Sequence, residues 1–311
     1  MTSPAPRVAV AASGGRDSTA LLHCTLRQAR PLGIEVWALH VHHGLQPTAY
    51  AWATQVRKQA RRWGAAFDCR RLAGAPAPGE SLEAWARRGR YAALAEMAHA
   101  AQCPLVLLAH HRRDQAETVL LQALRGGGAA ALAAMPRSAT RNGIVWARPW
   151  LDRPRELIEA YLRRHRLRWV DDPSNEGTAL TRSRLRQDLW PTLLHAFPQA
   201  ESALLHTALR AADEREILLG QAQADLAQVC SGHDDAGTLP LPPLLALPPA
   251  RARQVLRLWL REQLTQPVPE TLVRRLSDEL PRATAGRWPA PGGELRARRG
   301  SLAWHSASPG R

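Results

Sequence analysis

Ser13-Gly14-Gly15-Arg16-Asp17-Ser18 follows a short apolar run and opens a helix-like stretch. Two glycines there let backbone amides turn toward an anion, the serine hydroxyls add donors, and the helix amino end adds partial positive charge. The string reads as a phosphate cradle. It is not the Gly-x-x-x-x-Gly-Lys-Ser/Thr loop, because the single lysine of the chain, Lys58, lies far along the sequence. Asp17 would repel phosphate unless a divalent cation sat between them, so Mg2+ is implied, held by Asp17 through phosphate or water. The competing reading is a Gly-Gly turn in which Asp17 and Ser18 only cap the helix.

Other residues with chemical potential stand further along. Asp114 and Glu117 are three apart on one helix face, with His110 four residues before Asp114. Acids at a helix amino end are also favoured by the dipole alone. Arg87 and Arg90 share one side of a helix and can clamp phosphate or RNA, or simply face solvent. His40 and His42 share a strand face beside His43, but no cysteine or acid accompanies them, so lining of a nucleotide pocket is favoured over zinc. Arg182, Arg184 and Arg186 lie beside the turn-rich segment that contains Asn175. RNA is recognised through phosphates, splayed bases and stacking, so such a helix can hold an extruded nucleotide; a solvated basic face is the alternative.

For these residues to meet, the elements carrying them must converge. Short apolar runs at Val8 to Ala12, Glu35 to Val41, Phe67 to Leu72 and Leu105 to Ala109 alternate with helix-length periodic segments. These are roughly Ser18 to Arg30, Thr48 to Trp63, Ser81 to Ala100 and Asp114 to Leu124. That alternation predicts a doubly wound α/β domain with a parallel sheet, whose ligands bind beyond the carboxyl ends of the strands. Ser13 to Ser18, His40 to Leu45 and His110 to Glu117 all fall there. Beyond it, apolar spacings of three, four and seven from Leu205 to Val229 predict a long helix. The tail predicts a small second domain with a helix around Arg251 to Gln263 and a hairpin through Leu302 to Trp304. The expected division is 1–195, a helical linker 196–230, and 231–311.

The chain has 311 residues, 45% of them hydrophobic, enough for two packed domains without disulfide or metal staples. Its formal net charge is +15, concentrated in residues 1–190 with 28 basic against 15 acidic side chains. Such a field acts over roughly 10 Å at ordinary salt and selects a polyanionic partner. Cys24, Cys69, Cys103 and Cys230 form no Cys-x-x-Cys pair, which fits reduced thiols. The longest stretch without Asp, Glu, Lys or Arg, Val36 to Val56, contains three His, a Gly and a Pro and does not suit a bilayer. A cytoplasmic location with no membrane partner is expected, and a homodimer is compatible with the sequence.

The Ser13-to-Ser18 string resembles the signature of the PP-loop ATP pyrophosphatase superfamily, whose fold is adenine nucleotide alpha hydrolase-like. His40-Val41-His42-His43-Gly44-Leu45, Ala86-Arg87-Arg88-Gly89-Arg90-Tyr91 and His110 through Thr118 follow in order. Arg148-Pro149, Asp172-Pro173-Ser174-Asn175 and Arg182 to Arg186 come after them. Together they are similar to the tRNA(Ile)-lysidine synthetase family over residues 7–195, and more weakly beyond. The resemblance implies ligation of free L-lysine to carbon 2 of the wobble cytidine of a CAU-anticodon isoleucine tRNA. The base is adenylated by ATP with Mg2+, and AMP and pyrophosphate are released. It implies ATP binding by Ser13, Gly14, Gly15, Arg16, Asp17, Ser18 and His40, and lysine binding by His110, Asp114 and Glu117. Catalysis falls to Asp17, Asp114, Glu117 and Arg90, and tRNA binding to Arg87, Arg182, Arg186, Asn175 and the small domain 231–311. The chain stops about where longer members continue, so a short form without the final domain is expected. The alternatives are a cysteine-independent PP-loop tRNA-modifying enzyme of other specificity and a non-catalytic RNA-binding protein. The latter leaves Asp17, Asp114 and Glu117 without a purpose, since carboxylates weaken an RNA cleft.

Overall fold

The computed structural model describes residues 5–42, 49–76, 81–170, 181–233, 237–264 and 266–306. The chain divides into two compact units, residues 1–212 and 213–311.

The first unit begins with β1 (Arg7–Ala11), α1 (Arg16–Ala29), β2 (Glu35–His42), α2 (Ala49–Trp63), β3 (Ala66–Arg71), α3 (Leu82–Ala100) and β4 (Leu105–Leu107). It continues with α4 (Arg112–Leu124), α5 (Ala129–Leu132), β5 (Ser138–Arg141), β6 (Ile144–Ala147) and α6 (Arg155–Arg164). The strands form one sheet in the order β3-β2-β1-β4-β6-β5, parallel except for the β5–β6 pair. Alternation along β1 explains the layers. Val8, Val10 and Ala12 pack with Leu21, Leu22, Val56 and Ala60 of α1 and α2. Ala9 points the other way, into a cluster with Leu94, Met97 and Ala98 of α3. A strand buried on both faces must be apolar at consecutive positions, and Val8, Ala9 and Val10 are. This is the doubly wound sheet that the sequence predicts.

The order 3-2-1-4 means that the chain winds outward from β1 to β3 and then returns to start again on the other side at β4. The loops after β1 and β4 therefore diverge from adjacent strands and leave a crevice between them, at the carboxyl edge of the sheet. The β5–β6 hairpin is an addition to the expected elements. Its turn is Asn142-Gly143, both at positive φ (52° and 72°), which is the type I′ geometry that Asn-Gly favours.

Helix α7 (Thr181–Arg184) runs into a π-helical turn at Leu185–Leu189 and then α8 (Trp190–Ala196). The 30-residue α9 (Ala200–Val229) is continuous, and the division between the two units falls within it.

The second unit contains β7 (Thr238–Pro240), α10 (Leu241–Leu245), α11 (Pro249–Gln263), α12 (Glu270–Glu279), β8 (Gly286–Ala290), β9 (Gly293–Arg298) and β10 (Ser301–Ser306). Both α11 and a strand at Leu302 to Trp304 are as the sequence predicts. The structure adds α12 and completes a four-stranded antiparallel sheet in the order β7-β10-β9-β8. Leu239, Val255, Leu260, Val273, Leu276 and Leu295 form its core, each with no exposed surface. Buried Asp225 is paired with Arg251 at its edge.

The turn between β1 and α1 depends on Gly14. Its φ is +88°, and a Cβ there would lie 2.7 Å from a methyl of Val56. Its carbonyl accepts hydrogen bonds from the Val170 amide (2.9 Å) and the Thr19 hydroxyl (3.2 Å), which fix the peptide plane. Gly14→Ala is expected to lower stability by about 1–3 kcal/mol, measured as a shift in the urea midpoint. Gly15→Ala serves as the control, because a Cβ there meets nothing closer than the Ser13 hydroxyl at 3.5 Å. Equal effects of the two substitutions would show that the left-handed turn is not what holds the loop.

Candidate active site

The crevice is floored by two helix amino ends. On the β1 side, α1 starts from Gly15, whose position as N-cap carries no side-chain cap hydrogen bond. The first helical bond runs from the Thr19 amide to the Gly15 carbonyl (3.0 Å), so the amides ahead of Thr19 have no helical acceptor, the condition that makes a helix amino end suited to an anion. The hydroxyls of Ser13 and Ser18 lie 2.9 Å apart, the Gly15 amide donates to Ser13 (3.3 Å), and Ser18 donates to the Gly15 carbonyl (3.0 Å). The loop is thus shaped by its own hydroxyls before any ligand arrives. Arg16 turns away: it pairs with Glu159 at 2.6 Å and lies over the Trp169 ring. Only its backbone remains at the loop.

His40 lies at the carboxyl end of β2, 4% exposed, with Nδ1 2.7 Å from the Ala12 carbonyl. An acceptor carbonyl there makes Nδ1 the protonated nitrogen, so Nε2, buried and without a partner among the described residues, is an acceptor. Burial lowers the His40 pKa and keeps the ring neutral.

On the β4 side, the His111 amide donates to Asp114 Oδ2 at 3.0 Å, closing the first turn of α4. The His111 ring spans the crevice. Its Nε2 lies 3.7 Å from Asp17 Oδ2 and 3.5 Å from Asp114 Oδ2. Burial disfavours its charge, but the two carboxylates outweigh burial and raise its pKa. Asp17 Oδ1 is buried with no hydrogen-bond partner among the described residues. A lone carboxylate oxygen beside an anion loop is what Mg2+ requires of a protein when phosphates and waters complete its shell, so Asp17 fits that role. Among the described residues no group of three metal-ligating side chains occurs.

Asp114 and Glu117 do face the same way, and neither is solvated: Glu117 is 0% exposed and Asp114 8%. Two arginines meet them. Arg186 donates from Nε to Glu117 Oε1 (2.7 Å) and from Nη2 to Glu117 Oε2 and Asp114 Oδ1 (2.9 Å each). Arg182 approaches Glu117 Oε2 at 3.2 Å and is anchored on the Thr118 hydroxyl at 2.8 Å. Burial would raise the Asp114 carboxyl, but His111, His110 and Arg186 hold it below the usual carboxylate range. Burial likewise opposes the Arg186 charge, and the Glu117 hydrogen bond with the surrounding carboxylates outweighs it. Sequence reading separates these residues into a lysine pair and an RNA helix; the structure joins them.

His110 sits behind this cluster. Burial pushes its pKa down to about 4, and the charges of Arg148, Arg182 and Arg87 add to the effect against Asp114. Arg87 and Arg90 lie on exposed turns of α3, with Arg87 over the Tyr91 ring at 5.7 Å. Asn175 lies outside the described residues, as do His43 to Leu45.

Two contributors are not singled out by sequence reasoning. His111 stands within the His110-to-Thr118 string, and its place as N-cap three residues before Asp114 was the available signal. Glu201, 6% exposed at the start of α9, receives Arg113 at 2.6 Å and Arg112 at 3.3 Å and so steadies the first turn of α4. No local pattern reveals it, since its partners are 88 and 89 residues away.

A glycine-rich anion loop at the switch point of a doubly wound sheet defines a nucleotide-binding α/β domain. Family comparison agrees: the PP-loop domain matches residues 2–193, and the TilS substrate binding domain matches residues 239–303. The chain belongs to the PP-loop family. It is 42% identical over 308 residues to the tRNA(Ile)-lysidine synthase of Ralstonia nicotianae, covering 97% of this chain. It is 42% identical over 303 residues, 94% of this chain, to the enzyme of that name from Alkalilimnicola ehrlichii. The chain spans about 65% of the length of each of these two relatives. Among solved structures, the U34-tRNA thiolase NcsA from Methanococcus maripaludis with its [4Fe-4S] cluster shares the fold, with a TM-score of 0.56 at 15% identity. The match covers 66% of this chain and 71% of that one.

The buried His110 gives a pH signature. In the unfolded chain His110 protonates near 6.5, and in the folded one only near 4, so the unfolded state binds more protons between these values. The stabilisation from a neutral His110 is complete above 6.5 and is lost as pH falls toward 4, up to about 3 kcal/mol. His111, with its raised pKa, gains stability over the same window, so the His110 contribution is read from a difference: in urea titrations from pH 7 to 4.5, His110→Gln should lose less stability on acidification than the unsubstituted protein. An equal loss in the variant would remove His110 as the group responsible.

Proposed function

We propose that this protein ligates free lysine to carbon 2 of the wobble cytidine in a CAU-anticodon isoleucine tRNA, consuming ATP. The observation that carries the reading is the His111 bridge: it ties Asp17 of the anion loop to Asp114 of the carboxylate pair within one crevice. Nucleotide cleavage and amine capture then share a site.

The cytidine carbonyl oxygen attacks the α-phosphate of ATP, an oxygen–phosphorus bond forms, and pyrophosphate leaves. The lysine ε-amine then attacks carbon 2; the new carbon–nitrogen bond displaces AMP with the former carbonyl oxygen. Gly14, Gly15 and Ser18 present donors to the phosphates, and Ser13 shapes the loop through its hydroxyl. The His40 Nε2 lone pair is an acceptor for a nucleotide N–H. Mg2+ beside Asp17 would neutralise charge on the triphosphate. Making the ε-amine neutral at pH 7 costs about 4.6 kcal/mol, so a carboxylate is needed. Asp114 and Glu117 hold the ammonium, and one of the two accepts its proton as attack proceeds.

The basic residues 1–190 suit tRNA, with Arg87, Arg90, Arg182, Arg186 and Asn175 the assigned contacts, Arg90 near the reacting atoms. Residues 1–195 take the catalytic role and residues 231–311 a tRNA-binding one, joined by 196–230. A cytoplasmic location is part of the proposal; among the described residues no helix is long and apolar enough to cross a membrane. Sulfur transfer is disfavoured by the thiols themselves: burial raises the pKa of all four cysteines, Cys103 to about 11, so they stay protonated and weakly nucleophilic.

Radiolabelled lysine is expected to enter a CAU-anticodon isoleucine tRNA, with pyrophosphate release dependent on Mg2+. Asp17→Ala should reduce both by about a hundredfold or more, the scale of losing a principal electrostatic contact. Asp114→Asn should reduce lysine transfer while tRNA affinity stays nearly intact. Unchanged lysine incorporation in both variants would refute the assignment.

A further inference from the structure

The carboxylates that must receive an ammonium group already hold a guanidinium. Arg186 covers Glu117 Oε1, Glu117 Oε2 and Asp114 Oδ1 within 2.9 Å. The fourth oxygen, Asp114 Oδ2, takes the His111 amide. Each oxygen of the pair has a donor and Glu117 has no exposed surface, so an ammonium group reaches Glu117 only if one of the covering side chains moves aside.

The structure distinguishes which donor is free to go. The His111 amide is backbone, fixed by the start of α4. Arg182 is held independently by the Thr118 hydroxyl at 2.8 Å and the Asp114 carbonyl at 3.4 Å, and its side chain is only 25% exposed. Arg186 is 44% exposed, and among the described residues its guanidinium bonds to the two carboxylates alone. It also sits in the π-helical turn Leu185–Leu189, a wide turn that is rare and recurs at functional sites. Exchange of Arg186 for an ammonium replaces one positive charge by another, so the buried carboxylates are never left unpaired.

We propose that Arg186 is a removable internal plug of the cation subsite. It occupies the ammonium position while the amino acid is absent and withdraws toward solvent when lysine enters, leaving Arg182 to neutralise Glu117. The proposal rests on the reading of Asp114 and Glu117 as the lysine site. It also gives Arg186 a role other than holding tRNA. A site closed by its plug about nine tenths of the time binds its ligand about tenfold more weakly than an open one.

Equilibrium binding of radiolabelled lysine to the full chain tests this. Arg186→Ala is expected to bind lysine about tenfold more tightly than the unsubstituted protein. Guanidinium chloride at sub-denaturing concentration should compete with lysine in that variant by refilling the vacated place. Arg186→Gln, which keeps an N–H donor but no charge, should also tighten binding and serves if the alanine variant fails to fold. Arg186→Lys, which keeps a tethered cation, should stay near the original affinity, and Arg182→Ala should weaken binding. Unchanged or weaker lysine binding in both Arg186→Ala and Arg186→Gln, with Asp114→Asn still abolishing it, overturns the plug and leaves the lysine site standing. Absence of lysine binding in the unsubstituted protein and in every Arg186 variant overturns the lysine site itself.

Discussion

A carboxylate with no access to water must be matched by positive charge, and Glu117 is such a group. Much of the candidate site derives from that requirement. The chain returns through α7 and the π-helical turn to lay Arg182 and Arg186 across α4, because only long cations reach the buried oxygens. Asp114 shares Arg186 and takes a backbone amide as well. The π turn belongs to the same solution. An ordinary helix repeats every 3.6 residues, and widening it by one residue rotates the register of the later side chains, in the stretch that carries Arg186. Removal of either acid would leave the arginines short of partners, and removal of either arginine would leave an acid undercompensated, so the four residues behave as one unit.

The sheet decides where that unit sits. Because β1 and β4 are neighbours and parallel, their following loops emerge side by side, and the helices they start present two amino ends to one crevice. One end has open amides and no side-chain cap, the condition for receiving an external anion. The other is closed internally by Asp114. Two helices with the same dipole sense are thus used differently, one toward a ligand and one toward its own carboxylate. His111 reaches between them and couples their charges.

Much of this was legible in the residues. Consecutive apolar positions in β1, β2 and β4 announce strands buried on both faces, and the Gly-Gly string announces a turn that other residues resist, as the positive φ of Gly14 bears out. The β5–β6 hairpin carries an Asn-Gly signal, but its strands are only four residues long, too short for alternation to mark them. The second sheet is hidden for a related reason: β8 contains a proline and β9 alternates Glu and Arg with Leu and Ala, patterns weak in isolation. The pairing of Arg182 and Arg186 with α4 is invisible to local reading. Residues 64 to 72 positions apart form these pairs, and a basic helix looks the same in sequence whether it faces RNA or buried acids. Glu201 is hidden by distance in the same way.

His110 and His111 show how sharply that three-dimensional context acts. They are the same residue type, adjacent in the chain and both shielded from water, yet their pKa values move in opposite directions. His110 feels the charges of Arg148, Arg182 and Arg87 against that of Asp114, whereas the His111 ring lies 3.7 Å from Asp17 and 3.5 Å from Asp114. Burial alone would neutralise both; the carboxylates reverse its effect at His111, while the arginines reinforce it at His110. Two neighbouring rings thus sit in different charge surroundings: arginines act on His110 against Asp114, while the carboxylates of Asp17 and Asp114 lie beside His111. Composition could not have revealed this, because the surrounding unit carries an overall positive charge that an averaged field would spread evenly. The raised pKa of His111 arises because acids from two helices, separated by almost a hundred residues, are brought to one imidazole.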